Sequence, residues 1–565
     1  MLLYLSALLL LLGWLTVEHF PPWISWHAEV PVFTAVALLT ARGLWLVWRD
    51  SGGAARLAFP SIGWGLLGLL VLIVVQALLG HIQFAGDALV LGLYVGLCLA
   101  AGVLGFSSLP REGVVTGTAP QPEPLQLLAS TLLIGALLSC VVAWVQVLDV
   151  WEGNAWIARL PTLRRPGGNL AQPNQLATLI LMGLTSLIYL LEKKKLGHLV
   201  AGLMFGLMAS GLALTESRTA LLSLLALLGW WFVGRRRVGF GLRLGLVLPA
   251  TAILLLAFWF WPVIMSAMEL SAPGGRVNTG GGARLVVWPQ LWEAVLLRPW
   301  TGWGLGDVTT AHNAVAHAYS TGALFTYSHN ILLDMALGMG LPLTLLALVG
   351  VGYWLWTRLP AVHTLNAWYG LAAAIPLAVH SMLELPFAYA YFLAPVMFFL
   401  GRVDAELGQS PEWRIKLRWI AAVSLVALAV AAATVLEYIR VEEDYRVIRF
   451  ESMRMGSTPA EYERPQVHLL TQMDLLLRGA RIVPAPNMAA SDLELLGKVA
   501  LRHPGTATLH RYAMALALNG NPEEAVRQMR VIRVVMGEKI YDAIKAKWEE
   551  LALSTYPQLN QLKLP

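Results

Sequence analysis

The feature that most constrains this chain is the recurrence of apolar runs about 20 residues long, the length a helix needs to cross the hydrocarbon core of a bilayer. Such runs cover residues 2–18, 29–48, 61–81, 86–106, 125–147, 174–191, 197–215, 219–234, 242–262, 330–357, 364–383, 386–401 and 419–438. In lipid every backbone N–H and C=O must be satisfied within the protein, so a spanning segment is a helix or part of a closed barrel. Barrel strands read as short alternating segments, whereas these runs are continuous. The expectation is an all-α polytopic membrane protein with about 13 transmembrane helices. Only 13% of residues are charged, about half the share found in soluble domains. The first run, LLYLSALLLLLGWLTV, lacks a basic leader and a small-residue cleavage site, so it reads as a retained span.

The net charge of +6 calls for no nucleic acid. Basic connections at 49–56, 192–196, 235–243, Arg358 and 402–418 all fall on one side if the chain crosses about 13 times. The positive-inside rule then puts the N-terminus in the cytoplasm and the C-terminus outside. The unusual polar segments gather on the outer face: residues 148–173, the turn Glu216-Ser217-Arg218, a large loop at 263–329, the turn near Glu384 and everything after about residue 439. Two domains are expected, a transmembrane domain at 1–438 and a soluble helical one at 439–565. In the latter, LHRYAMALALNGNPEEAVRQM reads as a helix, a turn at 519–522 and a second helix, like one tetratricopeptide unit. Cys98 and Cys140 both lie in apolar runs and read as small core residues.

Four stretches carry groups suited to chemistry. In DVWEGNAWIARLPTLRRPGGNLAQPNQLA, Arg159, Arg164 and Arg165 precede a Gly-Gly-Asn turn, and Asn169, Gln172, Asn174 and Gln175 sit at the mouth of a span. Amides at a membrane edge are costly unless partnered, so they read as a polar rim for a polar substrate. The alternative is helix capping by Asn169 or Asn174. Arg218, in ESRT between two apolar runs, is forced to headgroup depth, where its planar fork suits an anion. In the large loop, Arg276 and Arg284 flank Thr279-Gly280-Gly281-Gly282. The following ARLVVWPQLWEAVLLRPWTGWGLG reads as a surface-lying amphipathic helix, with Pro289 in its first turn, Trp288, Trp292, Trp300 and Trp303 at the interface, and Arg298 as an interfacial or capping charge.

His329 opens the next span, well placed to exchange a proton near neutral pH. His312 and His317 read as loop residues, and the three histidines lack both zinc spacing and an acidic cluster, so no metal is expected. His380 and Glu384, four apart, share one helix face. They either bind substrate or pair with each other.

Together, GGNLAQPNQLATL, ESRTALL, GGARLVVWPQLWEAVLLRPWTGWGLG, YSHNILLDMALGMGLPL and HSMLELPFAYAYFLAPVMFFLG resemble the O-antigen ligase/polymerase superfamily. Within it, the chain is most similar to bacterial protein O-oligosaccharyltransferases of the pilin-glycosylating type, over residues of about 120–405. The resemblance implies a GT-C-like fold and a TPR-like periplasmic domain, in the bacterial inner membrane. It implies an undecaprenyl-pyrophosphate-linked oligosaccharide as donor and a pilin-like periplasmic protein as acceptor. It implies no cofactor and no metal. The family's histidine matches His329 and its paired arginines match Arg218 and Arg284. One departure is Gln175, where relatives often carry a histidine.

These matches suggest that Arg218 and Arg284 stabilise the leaving pyrophosphate while His329 takes the acceptor proton. Arg165, Asn169, Gln172, Asn174, Gln175, Arg276, His380 and Glu384 are the expected substrate-binding set. Transfer to lipid A-core, as in an O-antigen ligase, or to a second lipid-linked glycan, as in a polymerase, would use the same donor chemistry. A transporter would place its polar residues near mid-bilayer, not at one face.

Overall fold

The computed structural model describes residues 1–51, 56–109, 123–150, 153–159, 165–268, 281–316, 325–408 and 414–565. Each expected apolar run is helical: α1 (Leu2–Leu15), α2 (Trp26–Ser51), α3 (Ser61–Leu78), α4 (Ala85–Ser107), α5 (Pro124–Leu148), α6 (Pro173–Glu192), α7 (His198–Leu214), α8 (Arg218–Val238) and α9 (Leu244–Ala267). The chain continues with α10 (Gly281–Leu297), α11 (Val308–Val315), α12 (Ile331–Arg358), α13 (Leu365–Ser381), α14 (Ala390–Glu406) and α15 (Leu417–Ser452). Among the described residues, 8 helices are long and apolar enough to cross a membrane. This is a polytopic, helical membrane protein. Three-residue strands β1 (Arg56–Ala58) and β2 (Arg414–Lys416) pair antiparallel, a small departure from the all-α expectation.

After α15 come α16 (Thr471–Arg481), α17 (Ala490–Arg502), α18 (Thr506–Leu518), α19 (Pro522–Met536) and α20 (Glu538–Ser554). The helix, turn and helix expected around 519–522 are α18 and α19, with Pro522 in the first turn of α19.

The chain divides into two compact units, and the cut differs from the expected one at 438/439. The first comprises Met1–Leu70, Tyr94–Val277 and Gly350–Ala429; the second comprises Val71–Leu93, Asn278–Val349 and Val430–Pro565. The sequence-based boundary falls inside α15, which continues as one helix for 36 residues. A change in composition marks where the apolar run stops, not where the helix stops.

In the first unit, α6 is enclosed almost all round; its own Tyr189 is fully buried, as are Trp14, Trp368, Tyr369, Tyr391 and Phe399 in the same core. Such aromatics each bury about 150–250 Å² and dominate the packing. Their polar atoms are satisfied: Trp14 Nε1 donates to Tyr391 O at 3.1 Å, and the Tyr369 and Ser186 hydroxyls bond at 2.8 Å. Asp404 collects Arg358 Nε at 3.1 Å, Trp354 Nε1 at 2.9 Å and Ser61 Oγ at 2.6 Å.

In the second unit, the α15 tail is the post for the C-terminal helices. Glu437 accepts the backbone N–H groups of His468, Leu469 and Leu470 at 2.7–2.8 Å. Asp444 accepts Arg481 in a bidentate pair at 2.6 and 2.9 Å. A second core joins α10, α11 and the start of α12 through Val287, Leu291, Trp303, Val308, Ala311, Phe325 and Leu337. The described part of the large loop is therefore a folded helical element with its own core.

Candidate active site

In the first unit, the amide rim at the start of α6 is a connected network. Gln172 caps the helix, its Oε1 accepting Gln175 N at 2.6 Å. The cap is therefore Gln172, in place of Asn169 or Asn174. Asn174 Oδ1 accepts Ser217 Oγ at 2.7 Å, and Asn174 Nδ2 donates to Glu384 Oε1 at 3.4 Å. Gln175 Oε1 accepts Tyr391 Oη at 2.7 Å.

Asn169 has another task. Its Nδ2 donates to Leu15 O at 2.7 Å and Trp156 O at 3.0 Å, and its Oδ1 accepts Ala158 N at 3.0 Å. Both amide hydrogens are committed to backbone, so Asn169 is a buried staple that ties Trp156 and Ala158 to the end of α1.

Ser217 caps α8, accepting Ala220 N at 3.3 Å, while Glu216 turns the chain at φ 46°. Arg218 is thereby the first helical residue, and it is exposed. A cation there is unfavourable against the helix dipole, so two positive features coincide at this point. Arg165 Nη1 donates to Glu216 O at 2.9 Å. Burial lowers the Arg165 pKa from its ordinary value, Glu216 and Glu384 raise it, and nearby Arg218 lowers it further.

His380 Nδ1 bonds Thr178 Oγ1 of α6 at 2.8 Å. α13 ends at Ser381, and Glu384 follows in a turn, its N–H donating to His380 O at 2.9 Å. The expectation that His380 and Glu384 share a helix face is thus corrected. The helix stops too soon, and the two side chains reach α6 from separate segments.

In the second unit, α10 begins at Gly281 and carries Arg284 in its first turn, partly buried. Pro289, expected in the first turn, lies inside the helix, where it removes a ladder N–H and its ring crowds the preceding turn. Trp292 and Trp300 are exposed, as an interfacial helix requires. Trp288 and Trp303 turn inward, donating to Ser328 O and Ala294 O, each at 2.8 Å. Arg298 stacks on Trp303 at 4.2 Å, which gives its charge a packed place.

His329 has φ 60°. Few non-glycine residues adopt this left-handed conformation, though histidine does so more often than most. Its neighbours hold it there. Ser328 is fully buried, its N donating to Asp334 Oδ1 and its Oγ to Asn330 O, each at 2.8 Å. Asn330 Oδ1 caps α12, accepting Leu332 N at 3.0 Å and Leu333 N at 3.2 Å. The His329 ring packs edge-on to Phe325, with centroids 5.5 Å apart. Strain held by over-determined surroundings is a mark of functional residues.

The glycines on either side shape this region. α12 is broken at Gly340 (φ 76°, ψ 168°), and a Cβ there would lie 2.5 Å from Trp300 O. Leu341 N donates to Pro299 O at 2.7 Å and Trp303 N to Leu337 O at 2.6 Å, so the turn after α10 locks into the break in α12. Gln76 joins them, donating to Gly338 O at 2.8 Å and accepting Leu305 N at 3.0 Å.

His312 was expected in a loop; it sits on α11, buried, and burial lowers its pKa to about 4. Arg164, Arg276, Thr279, Gly280 and His317 lie outside the described residues. Sequence reading also missed Glu29, buried in α2, which accepts Ala390 N at 3.3 Å and the Tyr94 hydroxyl. An isolated carboxylate in an apolar run was the available signal. Among the described residues, no three His, Cys, Asp or Glu side chains are grouped as for a metal ion. An open cleft of about 570 Å³ between α18 and α20 is lined by none of the candidate site residues.

Comparison with known proteins adds to this geometry. An O-antigen ligase family model matches residues 203–348, the stretch that holds Arg218, Arg284 and His329. A protein glycosylation ligase model matches 166–191, around the amide rim. The C-terminal model of a virulence factor membrane-bound polymerase matches 368–550. The chain is 27% identical to a general O-oligosaccharyltransferase of Acinetobacter baylyi over 94% of its own length and 91% of the relative's. It is also 27% identical to a ComP-specific O-oligosaccharyltransferase of the same organism, over 62% of this chain and 63% of that one. The chain is thus similar to O-oligosaccharyltransferases through most of its length, and to the O-antigen ligase family over the stretch that joins Arg218 to His329.

Proposed function

We propose that this protein moves an oligosaccharide en bloc from undecaprenyl pyrophosphate to serine or threonine hydroxyls of periplasmic proteins such as a pilin. The observation that carries this reading is the likeness to a general O-oligosaccharyltransferase through 94% of the chain, joined to the glycosylation-ligase match over 166–191.

In this mechanism Arg218 and Arg284 bind the pyrophosphate and stabilise the charge that grows as it leaves, the role preorganised cations fill in other transferases. His329 accepts the proton of the attacking hydroxyl. The hydroxyl oxygen bonds to the anomeric carbon, the bond to the pyrophosphate oxygen breaks, and direct displacement inverts the centre. The chemistry needs no metal. Asn174, Gln175, Gln172, Arg165, Arg276, His380 and Glu384 hold glycan or acceptor. Support comes from the Arg165–Glu216–Ser217–Asn174–Glu384 network, which sets polar groups beside exposed Arg218. The chain would cross the inner membrane about 13 times, with the site and a TPR-like C-terminal domain in the periplasm.

A second reading rests on the O-antigen ligase and polymerase matches: the acceptor would be lipid A-core or a second lipid-linked glycan. Reconstitution with the donor and each acceptor in turn separates these. Glycan on the protein alone supports the proposal; glycan on lipid A-core alone, or a lengthened lipid-linked chain, replaces it.

A further inference from the structure

Within the second unit, the C-terminal helices grip the segment that carries His329. Arg502, the last residue of α17, makes a bidentate pair with Asp87 at the start of α4, Nε and Nη2 each 2.7 Å from a carboxylate oxygen. Side-chain exposures of 29% and 16% leave the pair mostly withdrawn from water, and planar forks of this kind are the strongest charge-assisted bonds. Asp307, which caps α11, and Tyr327, two residues before His329, lie within electrostatic reach of the same guanidinium. Asp87, Asp307, Thr310 and Arg502 line one small shared cavity.

A second grip lies at the other end of α11. Arg527 Nη1 donates to Asn313 O at 3.2 Å and Nη2 to Asn313 Oδ1 at 3.1 Å. Arg527 is itself held by Glu524 at 2.7 Å. Ala316, just past α11, is wholly buried in the core of α18, α19 and α20. From α11 the contact passes to Phe325, which packs in one core with Val308, Ala311 and Val315 and meets the His329 ring edge-on. A side chain at φ 60° depends on such outside support.

We propose that Arg502 is a positioning residue for the transfer reaction: through Asp87 and α11 it fixes the His329 segment, so the C-terminal helices complete the catalytic centre. This rests on the role given to His329 above. A helical domain that served only to recruit acceptor protein would need no buried charged clamp on α4 and α11.

The test compares wild type with R502A, R502K and D87N in the full-length protein, reconstituted with an undecaprenyl-pyrophosphate oligosaccharide and a pilin-like acceptor. Expected for R502A and the near-isosteric D87N is a kcat lower by about 10- to 100-fold, the scale of a small misplacement of a reacting group, with acceptor KM unchanged. R502K should recover little, because one ammonium cannot span both Asp87 oxygens. Amide hydrogen exchange should rise at residues 325–334 in both variants. Unchanged kcat and unchanged exchange would overturn the proposal, as would a rise in acceptor KM alone. If wild type itself transfers nothing to protein, the functional reading fails; the exchange measurement still decides whether Arg502 holds the segment.

Discussion

The amide rim of the first unit and the His329 segment of the second solve the same problem, holding a polar group rigid at the edge of apolar helices, by opposite means. The rim uses side chains: Gln172, Asn174, Gln175, Ser217 and Glu384 bond one another and the backbone around them. The His329 segment uses backbone: a left-handed histidine, a helix broken at Gly340 and a turn locked into that break. A side-chain network tolerates the loss of one member better than a backbone held by mutual exclusion, because neighbours or water can replace a lost bond. The second region should therefore be the more brittle, in rate and in stability.

The largest effect should come from His329→Ala, with transfer lower by about 10²- to 10⁴-fold, the usual worth of a general base. Single-turnover assays should show donor still bound; full activity would remove the proposed base. Arg284→Lys should follow, keeping the charge but losing the fork, at a cost of about 10²-fold or more in kcat. Donor titration and turnover both unchanged would count against a pyrophosphate contact.

Stability gives a more direct contrast. Gly340→Ala should destabilise by about 1–3 kcal/mol, since φ 76° with ψ 168° is open essentially to glycine alone. Gln172→Ala should cost less, about 1 kcal/mol, the usual worth of an N-cap bond, because Gln172 is only half-buried and water can take its place. Thermal unfolding in detergent ranks the two, and the reverse order would break the comparison.

A further contrast lies in pH. Burial lowers the pKa of His312, His503 and His510 from 6.5 to about 4, and all three lie in the second unit. The unfolded chain therefore binds their protons first, so their neutral-state stability is complete above pH 6.5 and declines as pH falls toward 4. Hydrogen exchange at pH 7 and pH 5 should show the second unit loosening before the first; the opposite order would contradict the assignment.

Much of this was legible in the chain. Apolar runs marked the membrane helices because their length is set by the bilayer, and Asn519-Gly520-Asn521-Pro522 marked the α18–α19 turn because few other residues fit there. What escaped was tertiary. Residue type alone cannot show that both amide hydrogens of Asn169 are spent on Leu15 and Trp156. Glu384 looked helical because the apolar run continues past Ser381, although Pro386 disfavours helix just beyond it. Asp87 and Arg502, 415 residues apart, gave no sign of each other. Pro289 misled because proline favours first turns, and here the helix starts earlier, at glycines that discourage helix.

The most direct measurement is the intact mass of a pilin-like acceptor after incubation with the reconstituted protein and a lipid-linked oligosaccharide of defined size. The account predicts one added mass equal to the whole oligosaccharide, on a serine or threonine, present with wild type and absent with His329→Ala. An unmodified acceptor beside glycosylated lipid A-core, or beside a lengthening ladder of lipid-linked glycan, would contradict it.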